Sequence, residues 1–260
     1  MSVVKSDGDV QPLSILKDDV RATLYASLNE YRGGQLYNSN NAVIETVREP
    51  TLVFAHGAGA SSQSPWMLQV AKLLSANGLR VITFDFPYMS KQQDDGRKRP
   101  PDRQPILLSA FVEVISYVPS PCWIGGKSMG GRMASVLAAM VEQPPKMLAG
   151  LSQHFAIALT QHIKGCGCFG YPFYAMGKAD KPRIDHLQDM SRPIAIYQGS
   201  RDPMGRYEQV SDYSLSPQIN INWLEEGDHD FKPTKTSGLA HDDHLQSVAK
   251  SFTEFCRQND

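Results

Sequence analysis

The sequence predicts an α/β fold: a mostly parallel sheet with helices on both faces. Short apolar runs of strand length recur from Thr51 onward, each ending in a turn. Segments with apolar residues at helical spacing separate them, and that alternation builds parallel sheets covered on both sides. Residues able to do chemistry gather just past the carboxyl ends of the apolar runs, where such sheets bind ligands.

The elements follow in order. Residues 1–16 are polar and mixed in charge, read as disordered, and carry no basic-then-apolar leader pattern. Residues 20–28 alternate loosely, as an early strand would. Residues 30–41, polar with Gly33-Gly34, read as a loop. Thr51–Ala55 is a buried strand that runs into His56-Gly57-Ala58-Gly59. Residues 66–76 place Met67, Val70, Ala71 and Leu74 on one helical face, and Gly78 stops them. A strand at 80–86 follows. Residues 89–105, charged and proline-rich, read as a loop, and 106–117 read as a helix with Leu107, Phe111, Val114 and Ile115 on one side. Cys122 opens a third strand that enters Gly126-Lys127-Ser128-Met129-Gly130, and Met129–Glu142 is a helix. An apolar-striped segment at 147–161 reads as an inserted helix or small cap within 144–163. Strands at 164–171, 193–199 and Ile219–Leu224, then a helix at 243–256, complete a single domain over 1–260.

Gly-x-Ser-x-Gly is weak evidence alone and strong in context. Here a strand precedes it and a helix follows, the setting of the nucleophile turn in the α/β-hydrolase fold. The turn is sharp, so side chains at Gly126 and Gly130 would collide with neighbouring backbone. Ser128 is the expected nucleophile, projecting above the sheet edge. The Met129 N–H, free at the helix start, is an expected oxyanion donor. The small-residue loop at 56–60 brings a second N–H toward the serine. Ala58 is the expected donor, with Gly57 and Gly59 as alternatives. His56 precedes the nucleophile and is expected to brace the loop.

A serine hydroxyl needs a base, and the base an orienting carboxylate, in the chain order Ser, acid, His for this fold. Asp202 follows the strand at 193–199 and is the expected acid. His229 follows Ile219–Leu224 and is the expected base. Asp228 and Asp230 flank it and are alternative orienting groups. His154 and His162 read as packed or solvated, and His186 lies in a connecting stretch. His241 and His244, around Asp242-Asp243, read as the polar cap of the last helix. No metal or other cofactor is expected. Tyr171 and Phe173 are expected to contact substrate, with packing in the core as the alternative. Residues 88–105 and 171–178 are the expected pocket walls.

Formal net charge is -1, which suggests neither nucleic acid nor an anionic membrane as a partner. The cluster Arg97-Lys98-Arg99 reads as a solvated loop, and no apolar stretch is long enough to span a bilayer. The 4 cysteines form no Cys-x-x-Cys pair, so reduced thiols in a cytoplasm are expected. Cys166 and Cys168 alternate with Gly165 and Gly167, share one strand face, and read as a buried pair.

The motifs together resemble a known group. Ala55-His56-Gly57-Ala58-Gly59, Gly125-Gly126-Lys127-Ser128-Met129-Gly130-Gly131-Arg132, Gly170-Tyr171-Pro172-Phe173 and Gln198-Gly199-Ser200-Arg201-Asp202-Pro203 are similar to those of a small α/β-hydrolase family related to dienelactone hydrolases. The segment 223–229 adds to the match. That family includes a testis-expressed hydrolase-like protein and a subunit of a histone acetyltransferase regulatory complex. The resemblance covers roughly 50–257 and implies a lidless or small-lidded hydrolase with Ser128, Asp202 and His229 as its triad. The insertion between 144 and 164 departs from the family pattern. It is either a cap, a docking surface or a helix packed on the sheet.

Two functions of different class follow. The first is a serine hydrolase acting on a small-molecule carboxylic ester or thioester through an acyl-enzyme. The second is a hydrolase-like interaction or scaffold protein with vestigial activity and a protein partner. A peptidase ranks lower, because the chain has little room for a large cap.

Overall fold

The computed structural model describes residues 10–13, 21–25, 30–32, 35–37, 49–118, 121–142 and 162–260. One sheet runs in the order β1-β2-β6-β5-β7-β8-β9-β10. Its strands are β1 (Val10–Leu13), β2 (Arg21–Tyr25), β5 (Thr51–Ala55), β6 (Arg80–Asp85), β7 (Cys122–Lys127), β8 (Ile163–Phe169), β9 (Ile194–Gly199) and β10 (Ile219–Leu224). Strands β5 to β10 pair in parallel, while β1 and β2 lie antiparallel at one edge. The expected parallel α/β architecture is what the chain adopts.

Alternation along β5 shows why the strands are apolar throughout. Val53 and Ala55 pack with α3 (Gln104–Ser116) and α4 (Met129–Glu142). Leu52 and Phe54 pack with α1 (Pro65–Ala76) and α6 (His241–Gln258) on the other face. A strand buried on both faces has no polar side. Strand β8 meets the same demand with small residues. Gly165 and Gly167 leave room for the Trp123 and Phe252 rings. Cys166 and Cys168 turn to the opposite face, fully buried and unpaired, with their sulfurs 3.7 Å apart. Burial pushes the Cys166 thiol well above its ordinary range, which leaves little thiolate for redox or metal chemistry.

The structure departs from the sequence reading in three places. Val10–Leu13 lies inside the stretch read as disordered and pairs with Arg21–Tyr25 as an edge strand. Residues 30–41 were expected to be a loop. Instead β3 (Glu30–Arg32) and β4 (Gln35–Tyr37) pair antiparallel in a small separate sheet. Such short polar strands lack the apolar alternation that marks a strand in sequence. The third departure is α2 (Pro87–Asp95), inside the expected loop at 89–105. Proline occupies its first turn, and Gly96 closes it at φ +70°, a conformation suited to glycine. The Asp102 carboxylate accepts the Tyr88 N–H at 2.9 Å. Only Tyr88, Met89 and Ser90 are buried, so the rest of the helix is charged and reads as loop. The inserted helix expected at 147–161 lies outside the described residues.

A buried polar group flanks α4. Ser135 Oγ donates to the Arg132 carbonyl, and His186 Nε2 lies 2.9 Å from Ser135 Oγ. Burial holds the His186 imidazole at about 4, below its ordinary 6.5, with Arg132 adding repulsion and Asp185 opposing. The unfolded chain therefore takes up this proton below pH 6.5, and the folded protein only near pH 4. Stability should fall as pH drops through that window, by up to about 1.4 kcal/mol per pH unit for one such group. Burial lowers the buried His56 as well, and it adds to the slope with the same sign. Urea midpoints at pH 6.5 and 4.5 check this: His186→Gln should shrink the difference between them.

Candidate active site

Strand β7 ends at Lys127 and α4 begins at Met129, leaving Ser128 alone in the turn at φ +50°. A non-glycine residue at positive φ is uncommon and held by its surroundings. The Ser128 N–H donates to the Phe169 carbonyl at 2.9 Å, and its carbonyl accepts the Arg132 N–H at 3.0 Å. That bond is the first α-turn of the helix, so the N–H groups of Met129, Gly130 and Gly131 precede any intrahelical acceptor. The crossing is tight. A Cβ on Gly126 would lie 2.5 Å from the Gly130 carbonyl carbon, and one on Gly130 would lie 2.5 Å from Ala55 O.

The loop after β5 runs beside this turn. A Cβ on Gly57 would meet Ser128 Cβ at 3.6 Å. His56 is fully buried beneath the loop. Its Nε2 accepts the Phe86 N–H at 3.0 Å, so Nδ1 carries the proton that is donated to Gly57 O at 2.6 Å. The Tyr88 hydroxyl donates to Ala58 O at 3.0 Å. These bonds brace the loop from below, as expected of His56.

His229 stands between Ser128 and Asp202. Its Nδ1 lies 2.7 Å from Asp202 Oδ2, and its Nε2 lies 2.9 Å from Ser128 Oγ. The carboxylate only accepts, so Nδ1 carries the proton and Nε2 is left as an acceptor facing the serine. Asp202 is fully buried. Its Oδ2 also accepts from Gln198 Nε2 at 2.8 Å, and its Oδ1 accepts the Met204 N–H at 2.8 Å. Gln198 is locked in turn, because its Oε1 accepts the Tyr171 N–H at 2.8 Å.

These residues open on a cleft of about 470 Å³. Its walls are the loop 57–60, residues 64–67 at the start of α1, and Lys127, Ser128, His229 and Asp230. Ala58 is therefore at the cleft. Tyr171 and Phe173 are not: both are fully buried, packed edge to face at 4.8 Å. The Tyr171 hydroxyl donates inward to Arg183 O at 2.9 Å. The expected contact of these two residues with substrate gives way to core packing. The cleft wall comes from α1, not from the segments 88–105 and 171–178.

A family model described as an alpha/beta hydrolase domain matches residues 48–257. The chain belongs to that family. Solved structures share the hydrolase fold across almost their whole lengths. A dienelactone hydrolase from Anabaena variabilis is 18% identical, with TM-score 0.61 over 97% of this chain and 98% of that one. A serine hydrolase without lid from Xanthomonas campestris is 15% identical, with TM-score 0.57 over 99% and 97%. A cold-adapted esterase from an Arctic intertidal metagenomic library is 13% identical, with TM-score 0.56 over 98% and 99%. No curated protein matches the sequence. Among the described residues of this hydrolase domain, no helix is long and apolar enough to cross a membrane.

Sequence reasoning missed residues 64–67 and Lys127 as walls of the cleft. Lys127 was visible only as the variable position of the serine motif. The remaining candidates sit apart from the cleft. His162 Nε2 lies 2.6 Å from the Val118 carbonyl. His241 Nε2 and His244 Nδ1 bond the Asp230 and Phe231 carbonyls, at the start of α6. Asp228 Oδ1 accepts the N–H groups of Asp230 and Lys232, so it shapes the His229 loop without touching the imidazole hydrogen bonds. His154 lies outside the described residues.

Proposed function

We propose that the protein is a serine hydrolase that cleaves small carboxylic esters or thioesters through an acyl-enzyme on Ser128. The observation that carries this reading is the hydrogen-bond chain from Ser128 through His229 to Asp202, opening on the cleft. In the first step His229 Nε2 takes the Ser128 proton as Oγ attacks the acyl carbonyl carbon. The carbonyl oxygen becomes an oxyanion held by the Met129 and Ala58 N–H groups. Collapse of the tetrahedral intermediate expels the alcohol or thiol, which receives its proton from His229. Water, deprotonated by the same imidazole, then attacks the acyl-enzyme and releases the acid. Asp202 keeps the imidazole in the productive tautomer throughout.

The open cleft suits a small acyl group, and the motif resemblance supports a relation to the small dienelactone-hydrolase-related family. The same reading puts it in the cytoplasm, where unpaired cysteines such as its four are the rule. A fluorophosphonate probe tests the reading. Native protein should be labelled covalently and Ser128→Ala not at all. Equal labelling of the two would overturn it. A graded series of p-nitrophenyl esters then reads the acyl length the cleft accepts.

A further inference from the structure

Lys127 is the last residue of β7, beside the nucleophile, and its long side chain lies almost wholly inside the protein. The stem runs under the loop at 57, where a Cβ on Gly57 would meet Lys127 Cγ at 3.6 Å. The ammonium sits in a built socket. It donates to the His229 carbonyl at 2.6 Å and pairs with Asp230 Oδ1 at 3.1 Å. The Trp66 and Phe231 rings lie 5.3 and 5.9 Å from it, a setting that favours a cation. A surface lysine needs none of this, and burying an ammonium is costly unless it is paired.

We propose that Lys127 is a positioning residue, a strut that ties the backbone of His229 to the strand carrying Ser128 and so sets the distance between base and nucleophile. The inference rests on the serine hydrolase reading above and adds a residue to it. Strand β7 is rigid and the segment 228–231 is not a regular element. Phe231 is held at φ +69°, a strained value for a residue with a side chain, so tertiary contacts must hold this loop in place. Trp66, His241 and His244 bond the Asp230 and Phe231 carbonyls from the side of α1 and α6. Lys127 alone among these contacts reaches His229 itself from the nucleophile strand.

Gly170 explains how the strut fits. Its φ is +69°, and a Cβ there would meet His229 O at 2.7 Å, Lys127 Nζ at 3.0 Å and His229 Cε1 at 3.4 Å. The ammonium and the imidazole edge thus share the space that glycine leaves open. Asp202, Asp228 and Asp230 are the anions facing this pair, and Asp230 is the one in direct contact with the ammonium. Burial lowers the Lys127 ammonium below the usual lysine range, against the pull of those carboxylates.

Steady-state kinetics with p-nitrophenyl acetate test the strut, using Lys127→Met, Lys127→Arg and Asp230→Asn with folding checked by circular dichroism. Lys127→Met keeps the stem and loses the donor. Its kcat should fall ten- to a hundredfold with KM within threefold. Lys127→Arg keeps a donor of different length and should recover part of kcat, with KM again held. Asp230→Asn leaves the Lys127 bond to the His229 carbonyl in place, so its kcat should fall less than that of Lys127→Met. Lys127→Met with kcat within twofold of native would overturn the proposal. If Lys127→Met does not fold, Lys127→Arg decides, and a kcat equal to native overturns the proposal, because a strut of changed length must move His229. Failure of the parent reading looks different: native protein then neither turns over the ester nor takes the fluorophosphonate.

Discussion

Asp202→Asn is expected to lower kcat about 10⁴-fold while leaving the fold intact. The argument lies in the partners of the carboxylate. Every hydrogen bond to Asp202 comes from a donor: His229 Nδ1 and Gln198 Nε2 at Oδ2, and the Met204 N–H at Oδ1. An asparagine must put its NH₂ group at one of these positions, facing an N–H. Gln198 cannot turn its oxygen toward it without abandoning the Tyr171 N–H. His229 can adapt by moving its proton to Nε2, which then faces Ser128 as a donor and cannot act as a base. Kinetics on p-nitrophenyl acetate, with the rate of fluorophosphonate labelling, measure the loss. A decrease below tenfold would mean that His229 keeps its tautomer without Asp202.

Gly130→Ala is the second large effect, and it acts on stability. The new methyl would lie 2.5 Å from Ala55 O, 2.6 Å from His56 O and 2.8 Å from the Ala55 carbonyl carbon. All three are backbone atoms of β5 and the loop that follows it, so no side chain can rotate away. Relief requires α4 to back off from the sheet, and that moves Ser128. The expected cost is about 3 kcal/mol or more, read as a lower urea midpoint with unchanged slope. Gly126→Ala should behave alike, since its methyl would meet Gly130 and Gly131 of the same helix. Gly59→Ala is the comparison: nothing lies within 4 Å of its Cβ, so stability should stay within about 0.5 kcal/mol.

Much of this was legible before any coordinates. The buried strands announce themselves as short apolar runs, because a strand covered on both faces has no polar side to show. The expected nucleophile, base and acid follow from that frame, since each lies just past a strand end. The structure links all three in one chain, with His229 hydrogen-bonded to Ser128 on one side and to Asp202 on the other. Helix α2 and the pair β3 and β4 were not legible. Helix α2 buries only Tyr88, Met89 and Ser90, and strands of three residues are too short to show an apolar period.

What the sequence determined by itself is the parallel architecture and the chemical types at its strand ends, since both are written in local patterns. The tertiary structure alone decided which side chains face the cleft. Tyr171 and Phe173 look like a binding pair in sequence, yet the chain between β8 and β9 folds them into the core. Lys127 looks like the free position of a motif, yet Trp66 arrives from α1 and Phe231 from beyond β10 to enclose it. The direction of a side chain is set by neighbours distant in sequence, and no window around Lys127 contains them.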